Sequence, residues 1–297
     1  MFEEVKERVE NTLKERVLSY KIIQTGYVNK VYILKSSNKL YILKVYNTHL
    51  PKSKIEASIQ VQKYLSREQL SPKIIHVICD KQPICAIHEY IGNDYTQINA
   101  EHFQYIGELL GKIHKVLLEF SCRKIETYKP DNELYTDRVN ISLKEKKLID
   151  LKCELRQRIN LYPDIDKQII HGDFYESNII INNNKYYAID YDETKIYYRI
   201  YDVIKFIINM IRQFGYNKAF RYADFFLIGY QQINRISKYE IKYMFDVFLC
   251  TITSDSSGLE KQSYNLDRNY LDKRIALHEF LLSDYESINH FLKILFM

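Results

Sequence analysis

Near Gly92 the apolar pattern of this chain changes period, and that change limits the fold more than any other feature of the sequence. Before it, SYKIIQTGYVNKVYILKSSNKLYILKVY alternates or runs apolar around turn residues and reads as three strands. The first turn is TGYVN, around Gly26. The second is SSNK, Ser36 to Lys39, between two near-identical runs that each contain YILK, so a hairpin is the economical reading. LSPKIIHVICDKQPICAIHEYI reads as two more strands with DKQP as the turn. Two stretches in this part have helical spacing: residues 3–17 (Val5, Val9, Leu13, Val17) and KSKIEASIQVQKYLSREQ, with Ile55, Ile59 and Leu65 on or near one face. After Gly92 helical patterns dominate, over roughly 100–120, 140–160, 200–213, 218–233, 238–250 and 269–295. Only KQIIHGDFYESNIIINNNKYYAIDYD breaks them, with a second hairpin made of NIII, a turn at NNNK, and YYAID. The expected architecture is α+β. A small, mainly antiparallel sheet lobe with one inserted helix covers residues 1–91, and a larger, mainly helical lobe covers 92–297.

Composition narrows the class of protein without naming a function. The chain has 297 residues, 46% hydrophobic, enough for a sizeable core, and only 8 glycines and 5 prolines, which argues against a disordered or fibrous chain. A net charge of +5 is a mild excess and does not call for a nucleic-acid partner. Cys79, Cys85, Cys122, Cys153 and Cys250 are odd in number, loosely spaced and without a CxxC, so neither a zinc site nor a disulfide framework follows. Reduced thiols in a cytoplasmic protein are the expectation. The charged, amphipathic start MFEEVKERVENTLKERV is unlike a signal peptide. No apolar run approaches the roughly 18–20 residues that span a bilayer, so no membrane partner is expected.

The chemistry concentrates in IIHGDFYESNIII, Ile169 to Ile181. Asp173 and Asn178 lie on a loop before the second hairpin, and the far strand of that hairpin ends in Asp190. A hairpin can return its far end close to its start, so a carboxylate, an amide oxygen and a second carboxylate can converge. Oxygen ligands of this kind suit Mg²⁺, which keeps waters and bridges substrate phosphates. Asp173 is then free to orient an attacking hydroxyl and accept its proton. The cation such a site needs is Lys44 in LYILKVY, on a strand face with Leu40 and Ile42, where an ammonium must reach water or an anion. Glu56, on the following helix, is its expected partner. The turn at Gly26 can close over phosphates with backbone N–H groups.

HGDxxxxN followed by ID, downstream of a strand lysine and a helix glutamate, resembles the aminoglycoside phosphotransferase/choline kinase family. His171, Gly172, Asp173, Asn178 and Asp190 carry the motif. QTGYVNKVYIL, with Asn29 at a typical polar position, resembles the family's phosphate-loop strand pair. LSPKIIHV and AIHEYIG resemble the strands leading to its hinge. GELLGKIHKV and YRIYDVIKFI, with Arg199 and Asp202, resemble two of its helices. The resemblance implies a protein-kinase-like bilobal fold, with Asp173 as catalytic base and Asn178 and Asp190 as Mg²⁺ ligands. It makes Lys44 with Glu56 the phosphate-positioning pair, has the backbone of Glu89, Tyr90 and Ile91 hold adenine, and has Asp202 brace the catalytic loop. It implies ATP as donor, with GTP possible. The acceptor would be a small-molecule hydroxyl substrate: an antibiotic, an amino alcohol or a sugar.

The sequence departs from the family pattern in places. HGDFYESN stands where HGDLHxGN is common, placing Tyr175 and Glu176 in the loop, and IDYDE brings in Asp192 as a further metal-shell group or an acceptor contact. The competing expectation is a kinase-fold structural or binding protein, such as a spore-coat-type relative; an intact Asp173, Asn178 and Asp190 speaks against it. A peptide kinase ranks lower, because no APE motif follows the metal aspartate.

Overall fold

The computed structural model describes residues 2–23, 29–92, 100–127, 165–249, 276–277, 280–281 and 283–296. In chain order its elements are α1 (Phe2–Leu13), β1 (Val17–Ile23), β2 (Lys30–Ser36), β3 (Leu40–Val45), α2 (Lys52–Arg67), β4 (Ile74–Ile78), β5 (Cys85–Glu89), α3 (Ala100–Leu118), β6 (Lys167–Ile170), β7 (Ile179–Asn182), β8 (Lys185–Ala188), β9 (Lys195–Tyr198), α4 (Ile200–Ile233), α5 (238–249) and α6 (Tyr285–Leu295). The chain separates into two compact units.

One unit comprises Met1–Asn99, Lys115–Glu126 and His171–Thr194. Its five strands form one antiparallel sheet in the order β1-β2-β3-β5-β4. Strand alternation puts Tyr41, Leu43 and Val45 on one face. There they pack with Tyr32, Leu34, Cys85 and Ile87 beneath Phe2, Val5 and Val9 of α1. Each fully buried aliphatic chain in such a cluster contributes about 1.5–3 kcal/mol. The expected N-terminal helix is shorter than its apolar spacing suggests: Lys14 adopts left-handed backbone (φ 55) just after α1, and Val17 begins a strand. Ile42 and Lys44 face the opposite side of the sheet, where Tyr46, Ile74, Ile84 and Ala86 pack against Ile55 and Ile59 of α2.

The His171–Thr194 segment of this unit contains the β7–β8 hairpin, in register Ile179↔Ala188 to Asn182↔Lys185. Asn183 and Asn184 turn it with φ of 49° and 58°. Two consecutive positive φ angles match the right-handed twist of a hairpin, and asparagine tolerates them at little cost. The hairpin is tied to the sheet side of the unit by the Ala188 N–H, which donates to the Leu70 carbonyl at 2.9 Å.

The other unit comprises Ala100–His114, Thr127–Ile170 and Lys195–Met297. Here α3 and α4 cross backbone to backbone. A Cβ on Gly107 would sit 1.9 Å from the Phe226 carbonyl oxygen, and one on Gly229 would sit 1.9 Å from that of Gln104. Around the crossing, Phe206 stacks on Phe226 with centroids 4.5 Å apart. His114 is fully buried and bonded through both ring nitrogens, to the Tyr230 hydroxyl at 2.9 Å and to Asp202 Oδ2 at 3.1 Å. Arg199 donates to both carboxylate oxygens of Glu240, at 2.7 and 3.0 Å. β6 and β9 pair antiparallel, Lys167↔Tyr198 to Ile170↔Lys195, a ladder the apolar pattern had not indicated. α4 joins two expected helices into one span broken at Gly215 (φ 71). The expected helix over 140–160 lies outside the described residues. No helix among the described residues is long and apolar enough to cross a membrane.

Candidate active site

Lys44, Glu56, Glu89, Tyr90, Ile91, Asp173, Asn178 and Asp190 fall within the first unit, and Asp202, expected to brace the loop, falls within the other, bonded to His114. The loop after Ile170 begins with His171, whose Nε2–H donates to the Ile189 carbonyl at 3.1 Å and whose Nδ1 accepts from the Asp173 N–H at 3.3 Å. The ring packs against Tyr191, centroids 4.5 Å apart. These contacts fasten the start of the loop to the end of β8 and give His171 a holding role. Gly172 has φ +80, and a Cβ there would lie 2.0 Å from the Glu193 carbonyl oxygen. No other residue type fits that combination of backbone angle and close approach.

Asp173 and Asn178 then meet across one short turn. Asn178 Nδ2 donates to the Asp173 carbonyl at 2.9 Å and to its Oδ2 at 3.3 Å. With the amide nitrogen used in this way, Asn178 Oδ1 is turned away as an acceptor. The Asn178 carbonyl accepts the Ile189 N–H at 2.9 Å, so the residue before Asp190 is bonded to the residue the motif places five positions after Asp173. Asp190 itself sits in left-handed backbone (φ 66), a conformation that aspartate visits more readily than most residues and that re-aims its side chain at the end of β8.

Lys44 completes the group. Its Nζ lies 2.8 Å from Asp190 Oδ1 and 2.7 Å from Asp192 Oδ2, and 5.1 Å from the centroid of the Tyr46 ring. Burial works against its charge, but Asp192 and Asp190 together overcome that and raise its pKa above the ordinary lysine value. Burial likewise opposes ionisation of Asp190, and the ammonium outweighs it, so the Asp190 carboxyl lies below its usual range. Asp192 is displaced the other way, by burial and by the charge of Asp190, against the pull of Lys44. Burial pushes the Tyr46 hydroxyl up to about 12. The Asp190 side chain keeps 44% of its surface exposed, against 18% for Asp192, so Asp190 is the carboxylate with an open side.

The structure thus brings Lys44, Asp173, Asn178 and Asp190 into one connected set. It does not bring in Glu56, the residue expected beside Lys44. Glu56 is paired with Lys124 and, at 3.9 Å, with Lys52. The reason is helix phase. Lys54 and Ser58 share one face of α2, bonded to Glu193 Oε1 and Asp192 Oδ1 at 2.9 Å each, and Glu56 lies two residues from both, on the far side. Gly26 lies outside the described residues. Glu89 ends β5, its side chain accepting the Lys73 N–H at 2.6 Å, and Tyr90 and Ile91 follow outside any helix or strand. Ser58 and Tyr46 were not foreseen. The four-residue spacing of Lys54 and Ser58 was the available signal.

A family model described as APH, the phosphotransferase enzyme family, matches residues 19–234. The chain belongs to this family. Among curated proteins, a phosphotransferase relative is homoserine kinase of Zymomonas mobilis, 24% identical over 183 residues. That match covers 57% of this chain and 57% of the length of that relative. Solved structures with the same fold include the amicoumacin kinase hAmiN in complex with AMP-PNP, Ca²⁺ and Ami, at TM-score 0.70 and 17% identity, covering 95% of this chain and 96% of that one. Choline kinase LicA from Streptococcus pneumoniae aligns at TM-score 0.68 and 17% identity, over 93% and 98%. A microcompartment-associated aminopropanol kinase aligns at 0.67 and 15%, over 95% and 98%. The fold of this phosphotransferase-family chain is the α+β fold expected from its pattern and the protein-kinase-like fold that the resemblance implied.

Proposed function

We propose that this phosphotransferase-family protein is a small-molecule kinase that moves the γ-phosphate of ATP to a substrate hydroxyl. The observation that carries the reading is the Lys44–Asp190 ion pair at 2.8 Å, which joins the strand lysine to the HGDxxxxN-ID motif across 146 residues of sequence. Asp173 orients the acceptor and takes its proton as the hydroxyl oxygen bonds to phosphorus. The bond to the departing ADP oxygen breaks in the same displacement, leaving a phosphate monoester and ADP. Lys44 draws the nucleotide phosphates to the sheet, and the backbone of Glu89 to Ile91 holds the base.

The donor set fits magnesium. Asn178 Oδ1 and the exposed side of Asp190 are hard oxygen ligands. No group of three or more His, Cys, Asp or Glu suited to a metal occurs among the described residues, so an ion here would complete its shell from water and phosphate oxygens. Magnesium held by these two residues would neutralise charge on the phosphates. Homoserine, choline and aminopropanol kinases among the similar proteins each carry in their names an alcohol bearing a cationic nitrogen, which supports an amino alcohol as acceptor ahead of a sugar.

The test is Mg²⁺-dependent transfer from ATP and from GTP to a panel of choline, ethanolamine, aminopropanol, homoserine, aminoglycosides and sugars, with Asp173→Asn in parallel. Transfer to an amino alcohol that disappears in the variant is the expected result. Absence of both transfer and Mg-nucleotide binding would sink the proposal in favour of a structural role.

A further inference from the structure

Lys44 of a kinase-like site needs a carboxylate that holds it without competing for the metal. Of its two partners, Asp190 offers the open side and is the proposed metal ligand. Asp192 is different in kind. Its Oδ2 takes Lys44 Nζ at 2.7 Å and also the amide Nδ2–H of Asn29, while its Oδ1 takes the hydroxyl of Ser58 at 2.9 Å. Asn29 is fixed in turn, its Oδ1 accepting the Asn47 N–H at 2.8 Å. Three donors from three places, β3, α2 and the residue before β2, therefore converge on one carboxylate carried by the turn after β8. Both its oxygens are occupied by the protein. Glu56, the α2 carboxylate the sequence offered for this task, is engaged by Lys124 instead.

Building on the kinase reading, we propose that Asp192 is the positioning residue that fixes Lys44 for the nucleotide phosphates, with Ser58 and Asn29 locking its carboxylate. In this arrangement α2 supplies a neutral hydroxyl, and the counter-ion comes from the same turn as the metal aspartate. Asp190 and Lys44 are then set against each other by a chain two residues long. Positioning of the lysine is part of the loop and does not wait on the placement of a helix glutamate.

The experiment compares Asp192→Asn, Ser58→Ala and Glu56→Gln with the unsubstituted protein by calorimetric binding of ADP and of adenosine, each with Mg²⁺ and in EDTA. Adenosine reports the base site alone and so serves as a folding reference within each variant. Loss of a charged hydrogen-bond partner predicts that Asp192→Asn weakens ADP on the order of ten- to a hundredfold relative to adenosine, in EDTA as well as in Mg²⁺. Ser58→Ala is expected to shift the ratio in the same direction by less, and carries the test should Asp192→Asn fail to fold. A loss confined to Mg²⁺ would make Asp192 a metal ligand and overturn the inference. So would a loss in Glu56→Gln as large as that in Asp192→Asn. Unsubstituted protein that transfers phosphate while Asp192→Asn keeps its ADP-to-adenosine ratio removes only the role of Asp192. Unsubstituted protein that binds ADP no better than adenosine and transfers no phosphate removes the kinase reading along with it.

Discussion

Asp173 accepts a side-chain hydrogen bond from Asn178 at 3.3 Å, and the same amide holds its carbonyl at 2.9 Å, so one neighbour touches both its backbone and its carboxylate. Replacing Asp173 by Asn keeps that geometry and removes the proton acceptor. Transfer is expected to fall by roughly 10²–10⁴-fold, with ADP binding little changed, the signature of an interaction made only in the transition state. A variant that transfers at the original rate would exclude Asp173 as the base. His88 carries a second residue-scale expectation. It is buried beside Gln62, whose Nε2 lies 3.0 Å from its Nδ1, and burial pushes its pKa down to about 3. A folded value below the unfolded one, near 6.5, means that the unfolded chain binds the extra proton first. Stability is then fully present above about pH 6.5 and is lost as pH falls towards 3, with a slope approaching about 1.4 kcal/mol per pH unit. Urea midpoints at pH 7 and 5.5 should differ accordingly, and His88→Leu should flatten that interval. An unchanged slope in the variant would assign the effect elsewhere. The convergence of Lys44, Asp173, Asn178 and Asp190 was legible, because motif spacing names the last three and an ammonium on an apolar strand face names the first. That Asp192 rather than Glu56 pairs with Lys44 was not, because the rotation of α2 turns Glu56 to Lys124 and the counter-ion comes from the turn after β8, which no spacing ties to the lysine.

At the scale of elements, the β7–β8 hairpin and the loop before it behave as one clamp. His171 holds Ile189, Asn178 holds Ile189 from the other side, and Gly172 lets the Glu193 carbonyl approach. Gly172→Ala adds a methyl group where that carbonyl stands and demands left-handed backbone of a residue with a Cβ. A loss of at least about 2 kcal/mol in urea unfolding is expected, together with loss of transfer; an unchanged midpoint would mean the loop can relax freely. In the helical unit, Tyr230→Phe removes the hydroxyl bonded to His114 Nδ1 inside a fully buried pair and should cost about 1–3 kcal/mol. The five-stranded sheet, α2 and α3 were legible from repeats of one period, and the β7–β8 hairpin from its NNNK turn between two apolar runs. β9 was not, because KIYY offers four residues with no alternation, and it becomes a strand only by pairing with β6. The single span of α4 was read as two helices because Gly215 marks a real break in its backbone.

For the whole molecule, the proposed site predicts linkage between nucleotide and stability. Mg-ATP at about a hundred times its dissociation constant should add about 2.7 kcal/mol, which for a chain of this size raises the melting temperature on the order of 4 °C. Asp190→Ala should abolish the dependence of that shift on Mg²⁺, and an equal shift in EDTA would argue against a metal at this position. The acceptor was beyond the reach of the sequence for a physical reason: motifs mark the reacting groups, whereas acceptor contacts come from side chains that only the packing of helices brings into line. The first unit is synthesised in separated pieces. Its sheet and α2 are complete by residue 92, yet the first carboxylate that receives Lys44 follows 146 residues behind it, on His171–Thr194. At ribosomal rates of roughly 5–20 residues per second, that interval lasts about seven to thirty seconds. A fragment ending at Glu126 should accordingly unfold at lower urea than the full chain, and equal midpoints would refute this. During translation the nascent sheet carries an unanswered ammonium on its inner face, and the unit closes only when the ribosome delivers the loop that also carries the catalytic aspartate.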